Sequence, residues 1–122
     1  MSHHGKDPGK LAQLLLIEIE RMKVLRELVA RLTQSQEGGQ TLLDRTAVYL
    51  GSNLGDASSH SNKNLPVLLA GGGFKHGQHL RFDLENPPPL CNLHVSMLQR
   101  LGIEVDRFST GTGTLMGLEA VR

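Results

Sequence analysis

Two short apolar runs constrain this chain more than any other feature. Residues 47–50 (Ala-Val-Tyr-Leu) and 66–70 (Pro-Val-Leu-Leu-Ala) are each bounded by glycines or polar turn residues, and each reads as a strand. Neither alternates polar with apolar side chains, so both are expected to be buried on two faces, as strands of a parallel sheet covered by helices are. A third candidate strand, residues 79–82, carries a weaker signal.

The helices that could cover such a sheet are few. Asp7-Pro8 is a helix start, because Asp caps free N–H groups and Pro is tolerated in the first turn. From there Leu15, Ile19, Met22, Leu25, Val29 and Leu32 recur at steps of three and four, which predicts an amphipathic helix over roughly residues 8–36. Gly38-Gly39 supplies the stop. After Pro87-Pro88-Pro89, Leu90, Leu93, Met97 and Leu101 line one face of a second helix, closed by Gly102.

Helix, strand, loop, strand, possible strand, helix and a glycine-rich tail make an α/β order. Two or three strands with apolar faces and unpaired outer edges need more cover than two helices give, and aromatic residues are only 3% of the chain. The expectation is a single partial domain over residues 1–122, the C-terminal part of a larger α/β domain. Its first partner is then the upstream part of that domain.

Charge and cysteine content narrow the function classes. Thirteen Lys and Arg against twelve Asp and Glu leave a formal charge of +1, which is no electrostatic footprint for nucleic acid or an anionic membrane surface. With Cys91 as the sole cysteine, no internal disulfide can form, which fits a cytosolic chain or an exported one that uses none. The longest apolar run in the first helix, residues 14–17, is far too short to span a bilayer, and the N-terminus has no apolar leader region.

Three segments could carry chemistry: Ser2-His3-His4, the loop from Gly51 to His60, and Gly71-Gly72-Gly73. The middle segment follows the C-terminal end of a predicted strand, where open α/β sheets place ligand sites, and Ser52, Asn53, Asp56 and His60 offer oxygen and nitrogen donors. Taken alone, paired histidines at a terminus also fit a frayed end, and His60 in a serine-rich loop also fits a solvated side chain. His76 and His79 read as loop residues and His94 as a helix-surface or packing residue. The triple glycine lacks the Lys-Ser/Thr of a P-loop and reads as a turn leaving the sheet. Cys91 sits at a helix start, where the dipole favours a thiolate, but has no histidine partner evident in the sequence.

Four stretches resemble a known family: Ser2-His3-His4-Gly5; GQTLLDRTAVYLGS from Gly39; HSNKNLPVLLAGGG from His60; and LQRLGIEVDRF from Leu98. Together they are similar to the HXXSHH domain family, an uncharacterised bacterial group of the alkaline-phosphatase-like superfamily. The naming motif places a histidine three residues before Ser2, so the resemblance implies a chain that begins inside a larger protein. It further implies a parallel-sheet sandwich and a parent exported to the periplasm or beyond. The parent would bind one or two divalent metals and hydrolyse phosphate or sulfate esters of small molecules through a Ser, Thr or Cys nucleophile upstream. On this resemblance His3, His4 and His60 are metal ligands, with Ser52, Asn53 and Asp56 near the site. One departure stands out: where the superfamily places an Asp-His pair after the strand, this chain has Asn53-Leu54, and leucine binds no metal. The resemblance therefore leaves a second reading open, a non-catalytic relative that binds or supports.

Overall fold

The computed structural model describes residues 3–119 and gives a mixed helix and strand architecture. The first helix, α1 (Pro8–Gln34), begins where the sequence places it: the Asp7 carboxylate accepts the Lys10 N–H at 2.9 Å, and proline occupies the first turn. It ends at Gln34, with Ser35 as its C-cap, two residues short of the expected end near residue 36. The glycine pair does a different job there. Gly38 and Gly39, both at positive φ, form the two-residue turn of a small hairpin between β1 (Gln36–Glu37) and β2 (Gln40–Thr41).

The two apolar runs are strands, β3 (Ala47–Gly51) and β4 (Val67–Gly71), but they pair antiparallel, with Tyr49 opposite Leu69. This corrects the parallel expectation. A parallel pair needs a crossover, usually a helix, whereas residues 52–66 turn back through a loop closed by the Asp56–Ser61 bridge. The expected burial on two faces is corrected as well, since Tyr49 and Leu50 are 37% and 38% exposed and Leu68 is 51% exposed, and a non-alternating run carries no information on strand direction. The third candidate strand, residues 79–82, is irregular. This region is tied to the tail instead: Gln78 Nε2 donates to the Gly117 carbonyl at 2.6 Å, and the Lys75 N–H donates to the Glu119 carbonyl at 2.9 Å.

The second helix, α2 (Cys91–Arg100), is capped at Leu101 and followed by a left-handed Gly102, as the sequence predicts. Its inward face is rotated from the predicted one: Asn92, Leu93, Val95 and Ser96 are buried, while Leu101 is 67% exposed. The reason is the tail, which packs across α2 through polar side chains. Asn92 Oδ1 accepts the Thr112 N–H at 2.9 Å, and Ser96 Oγ accepts the Leu115 N–H at 2.9 Å. An apolar-periodicity reading has no access to a helix face that is buried by hydrogen bonding.

The triple glycine is a turn leaving the sheet, with Gly71, Gly72 and Gly73 all left-handed. At Gly71 a side chain would also meet the carbonyl oxygens of Leu43 and Thr46. Arg100 crosses over this turn, its Nε donating to the Gly72 carbonyl at 2.8 Å.

Among the described residues the fully enclosed apolar core is Phe74, Leu93 and Val95. Helix α1 has no buried residue, and its chief contact among the elements is with β2. Leu15, Leu16 and Val24 are more than half exposed, as is Leu68 on β4. An open apolar trough runs between α1 and the sheet, walled by Leu16, Met22, Leu25, Tyr49 and Leu50. Large contiguous apolar surfaces of this kind mark places where another surface packs.

Candidate metal centre

The site is built where the segment preceding α1 meets the loop after β3. Three hydrogen bonds shape the first half. The His4 carbonyl accepts the Asp7 N–H at 2.9 Å, His4 Nδ1 accepts the Lys6 N–H at 3.0 Å, and Ser58 Oγ accepts the Gly5 N–H at 3.2 Å. Gly5 and Lys6 are both left-handed, so the chain reverses sharply between the histidines and α1.

The loop supplies the second half. Asp56 and Ser61 exchange backbone hydrogen bonds, and Asp56 Oδ1 accepts the N–H groups of Ser58 at 2.8 Å and Ser59 at 3.4 Å. This is the Asx-turn expected of an aspartate two residues before the N–H it binds. Hydrogen bonding from Ser59 and from the Ser58 backbone holds the Asp56 carboxyl below the usual carboxylate range, and the charge of His4 adds to the effect. At the end of the turn His60 takes a left-handed conformation, φ 54°.

The outcome is a direct meeting of His3 and His60. Their Nε2 atoms lie 2.5 Å apart, with ring centroids at 4.7 Å and planes at 88°. Zinc holds imidazole nitrogens at about 2.0–2.1 Å, so two ligands of a tetrahedral ion lie roughly 3.3 Å apart. A relaxation of under about 1 Å would seat one cation between these rings, and the donor chemistry is right for a transition metal. The set is incomplete within this chain: among the described residues no three His, Cys, Asp or Glu side chains converge as a metal cage.

The other predicted residues divide. His4 and Asp56 lie close enough to influence each other electrostatically, and with Nδ1 of His4 engaged by Lys6, Nε2 is its ring nitrogen left for a ligand. Ser52 is bonded locally: its Oγ donates to the Leu54 carbonyl at 2.8 Å and accepts the Leu54 N–H at 3.1 Å. Asn53 is exposed and makes no hydrogen bond among the described residues. Ser2, the serine of the motif, lies outside the described residues. Sequence reasoning missed Ser58, although the Asp-x-Ser spacing from Asp56 was a usable signal for the turn.

The remaining histidines and the cysteine sit elsewhere. His76 Nε2 lies 2.8 Å from the Gly71 carbonyl and braces the glycine turn. His94 packs edge-on between Tyr49 and Phe108, each with ring centroids 5.9 Å away, as a packing residue; its Nδ1 is buried and has no hydrogen-bond partner among the described residues. The Cys91 thiol is pulled below its usual range, first by the Thr110 hydroxyl 3.4 Å from its sulfur, against an opposing effect of desolvation.

No protein-family model, curated protein or solved structure matches the chain. Among the described residues no helix is long and apolar enough to cross a membrane.

Proposed function

We propose that this chain supplies part of the metal site of a larger α/β protein of the alkaline-phosphatase-like class, a metal-dependent hydrolase of phosphate or sulfate esters. The observation that carries the reading is the convergence of His3 and His60, 57 positions apart in sequence, on one point through their Nε2 atoms. His4, through Nε2, and the Asp56 carboxylate are the further donors or charge partners this reading assigns, although among the described residues no third ligand side chain converges with His3 and His60. A divalent metal there would neutralise charge on a transferring phosphoryl or sulfuryl group. The chain's own residues hold and orient that centre, and the nucleophile belongs to upstream sequence.

The exposed apolar faces of α1 and of the β3–β4 pair support the partial-domain half of the proposal, since they are the surfaces that more sheet would cover. The parallel-sheet sandwich belongs to the proposal as well, with β3 and β4 as an antiparallel pair within it.

A second reading, a non-catalytic binding or structural relative, is favoured by one observation. At the position of the superfamily's Asp-His pair, Leu54 is half-buried and its backbone closes onto Ser52, which leaves no second ligand pair. Hydrolysis of aryl phosphates and aryl sulfates by the full-length protein, with and without a chelator, separates the two. Chelator-sensitive turnover lost in His60→Ala supports the hydrolase. A metal-loaded protein that turns over neither class supports the non-catalytic relative.

A further inference from the structure

We propose that Ser58 is the positioning residue that brings His3 against His60, an inference that rests on the metal reading for its purpose and on hydrogen bonding for its geometry. His3 lies in an N-terminal segment and His60 in a loop, and neither is part of a helix or strand. Two hydrogen bonds join these segments among the described residues. One is the His3–His60 contact, and the other is the Gly5 N–H donated to Ser58 Oγ.

Ser58 is suited to this because its own backbone is fixed: its N–H is held by Asp56 Oδ1, and Asp56 is anchored by reciprocal backbone bonds to Ser61. The histidine segment is fixed at its other end through the Asp7 N–H to the His4 carbonyl, Asp7 being also the cap of α1. The Gly5–Ser58 bond therefore spans two anchored units. Without it, among the described residues, the left-handed reversal at Gly5 and Lys6 is hydrogen-bonded to the loop through the imidazole contact alone.

The test uses the full-length protein with isotopically labelled histidine and two readouts. In metal-free protein, a nuclear Overhauser effect between the Hε1 protons of His3 and His60 reports the convergence directly. It is expected in the wild type, lost in Ser58→Ala, kept in Ser58→Thr, which retains the hydroxyl, and kept in Ser59→Ala. Unchanged amide shifts along α1 establish that the variants are folded. Zinc affinity is expected to fall about tenfold in Ser58→Ala and to recover in Ser58→Thr, as is usual for residues that orient ligands without touching the metal. A Ser58→Ala protein that keeps both the His3–His60 effect and wild-type zinc affinity overturns the inference, as does a wild type without the effect. A wild type that shows the effect, loses it in Ser58→Ala and binds no zinc upholds the role of Ser58 and refutes the metal reading alone.

Discussion

Replacing Gly71 with alanine tests the link between the glycine turn and the sheet that carries the site loop. Gly71 is left-handed, φ 71°, which costs an alanine about 1–2 kcal/mol. The lower entropy of the unfolded alanine chain offsets about 0.4–1 kcal/mol of that. Space adds a larger penalty. The new Cβ would overlap the Leu43 and Thr46 carbonyl oxygens, and backbone cannot swing aside as a side-chain tip can. The Leu43 carbonyl accepts from Gly72 at 2.9 Å and from Thr46 at 3.2 Å, so displacing it weakens two hydrogen bonds at about 0.5–1.5 kcal/mol each. The expected loss is about 3 kcal/mol. Gly77 is the control: it is equally left-handed, φ 78°, with nothing near its hypothetical Cβ, so Gly77→Ala should cost about 1 kcal/mol. Urea denaturation followed by far-ultraviolet circular dichroism measures both. Equal losses in the two variants would refute the argument, because they would mean that backbone conformation alone, without the Leu43 and Thr46 carbonyls, sets the requirement for glycine.

Three further outcomes are expected. Thr110→Val removes the hydroxyl nearest the Cys91 sulfur, so the pH profile of Cys91 alkylation should move to higher pH; an unmoved profile would show that the hydroxyl does not support the thiolate. The Thr41 hydroxyl, then the Thr41 N–H, hold the Asp44 carboxyl below its ordinary value of 3.8. Its contribution to stability is therefore complete above that value and is lost as pH falls through the lower folded-state value. Asp44→Asn should flatten the acid side of the stability profile measured by urea midpoints, and an unchanged slope would contradict this. Asn92→Ala removes the buried acceptor of the Thr112 N–H and should cost about 0.5–1.5 kcal/mol, with earlier protease cleavage in residues 109–119; wild-type cleavage kinetics would show that the tail does not depend on Asn92.

Elements whose cause is local were legible in the sequence. The start of α1 rests on Asp7 and Pro8, and the glycine turn on Gly71 to Gly73; both stand where residue chemistry places them. The two strands were legible as strands because apolar β-formers sit between turn residues. Their direction was not, since an antiparallel and a parallel strand can present the same apolar residues, and only the course of residues 52–66 decides between them. The inward face of α2 was missed because Asn92 and Ser96 are buried as hydrogen-bonding partners of the tail, a non-local cause. In the site, motif resemblance put His3 and His60 in one set, and the geometry brings them together. The same resemblance put Ser52 nearby, and its hydroxyl is bonded to its own neighbour Leu54.

Elemental analysis of the purified full-length protein, wild type beside His3→Ala and His60→Ala with His76→Ala as a control, bears most directly on the central claim. Stoichiometric metal in the wild type and in His76→Ala, lost in the other two variants, is the predicted result. A wild type without metal, or one whose metal survives both substitutions, would contradict a centre built on His3 and His60.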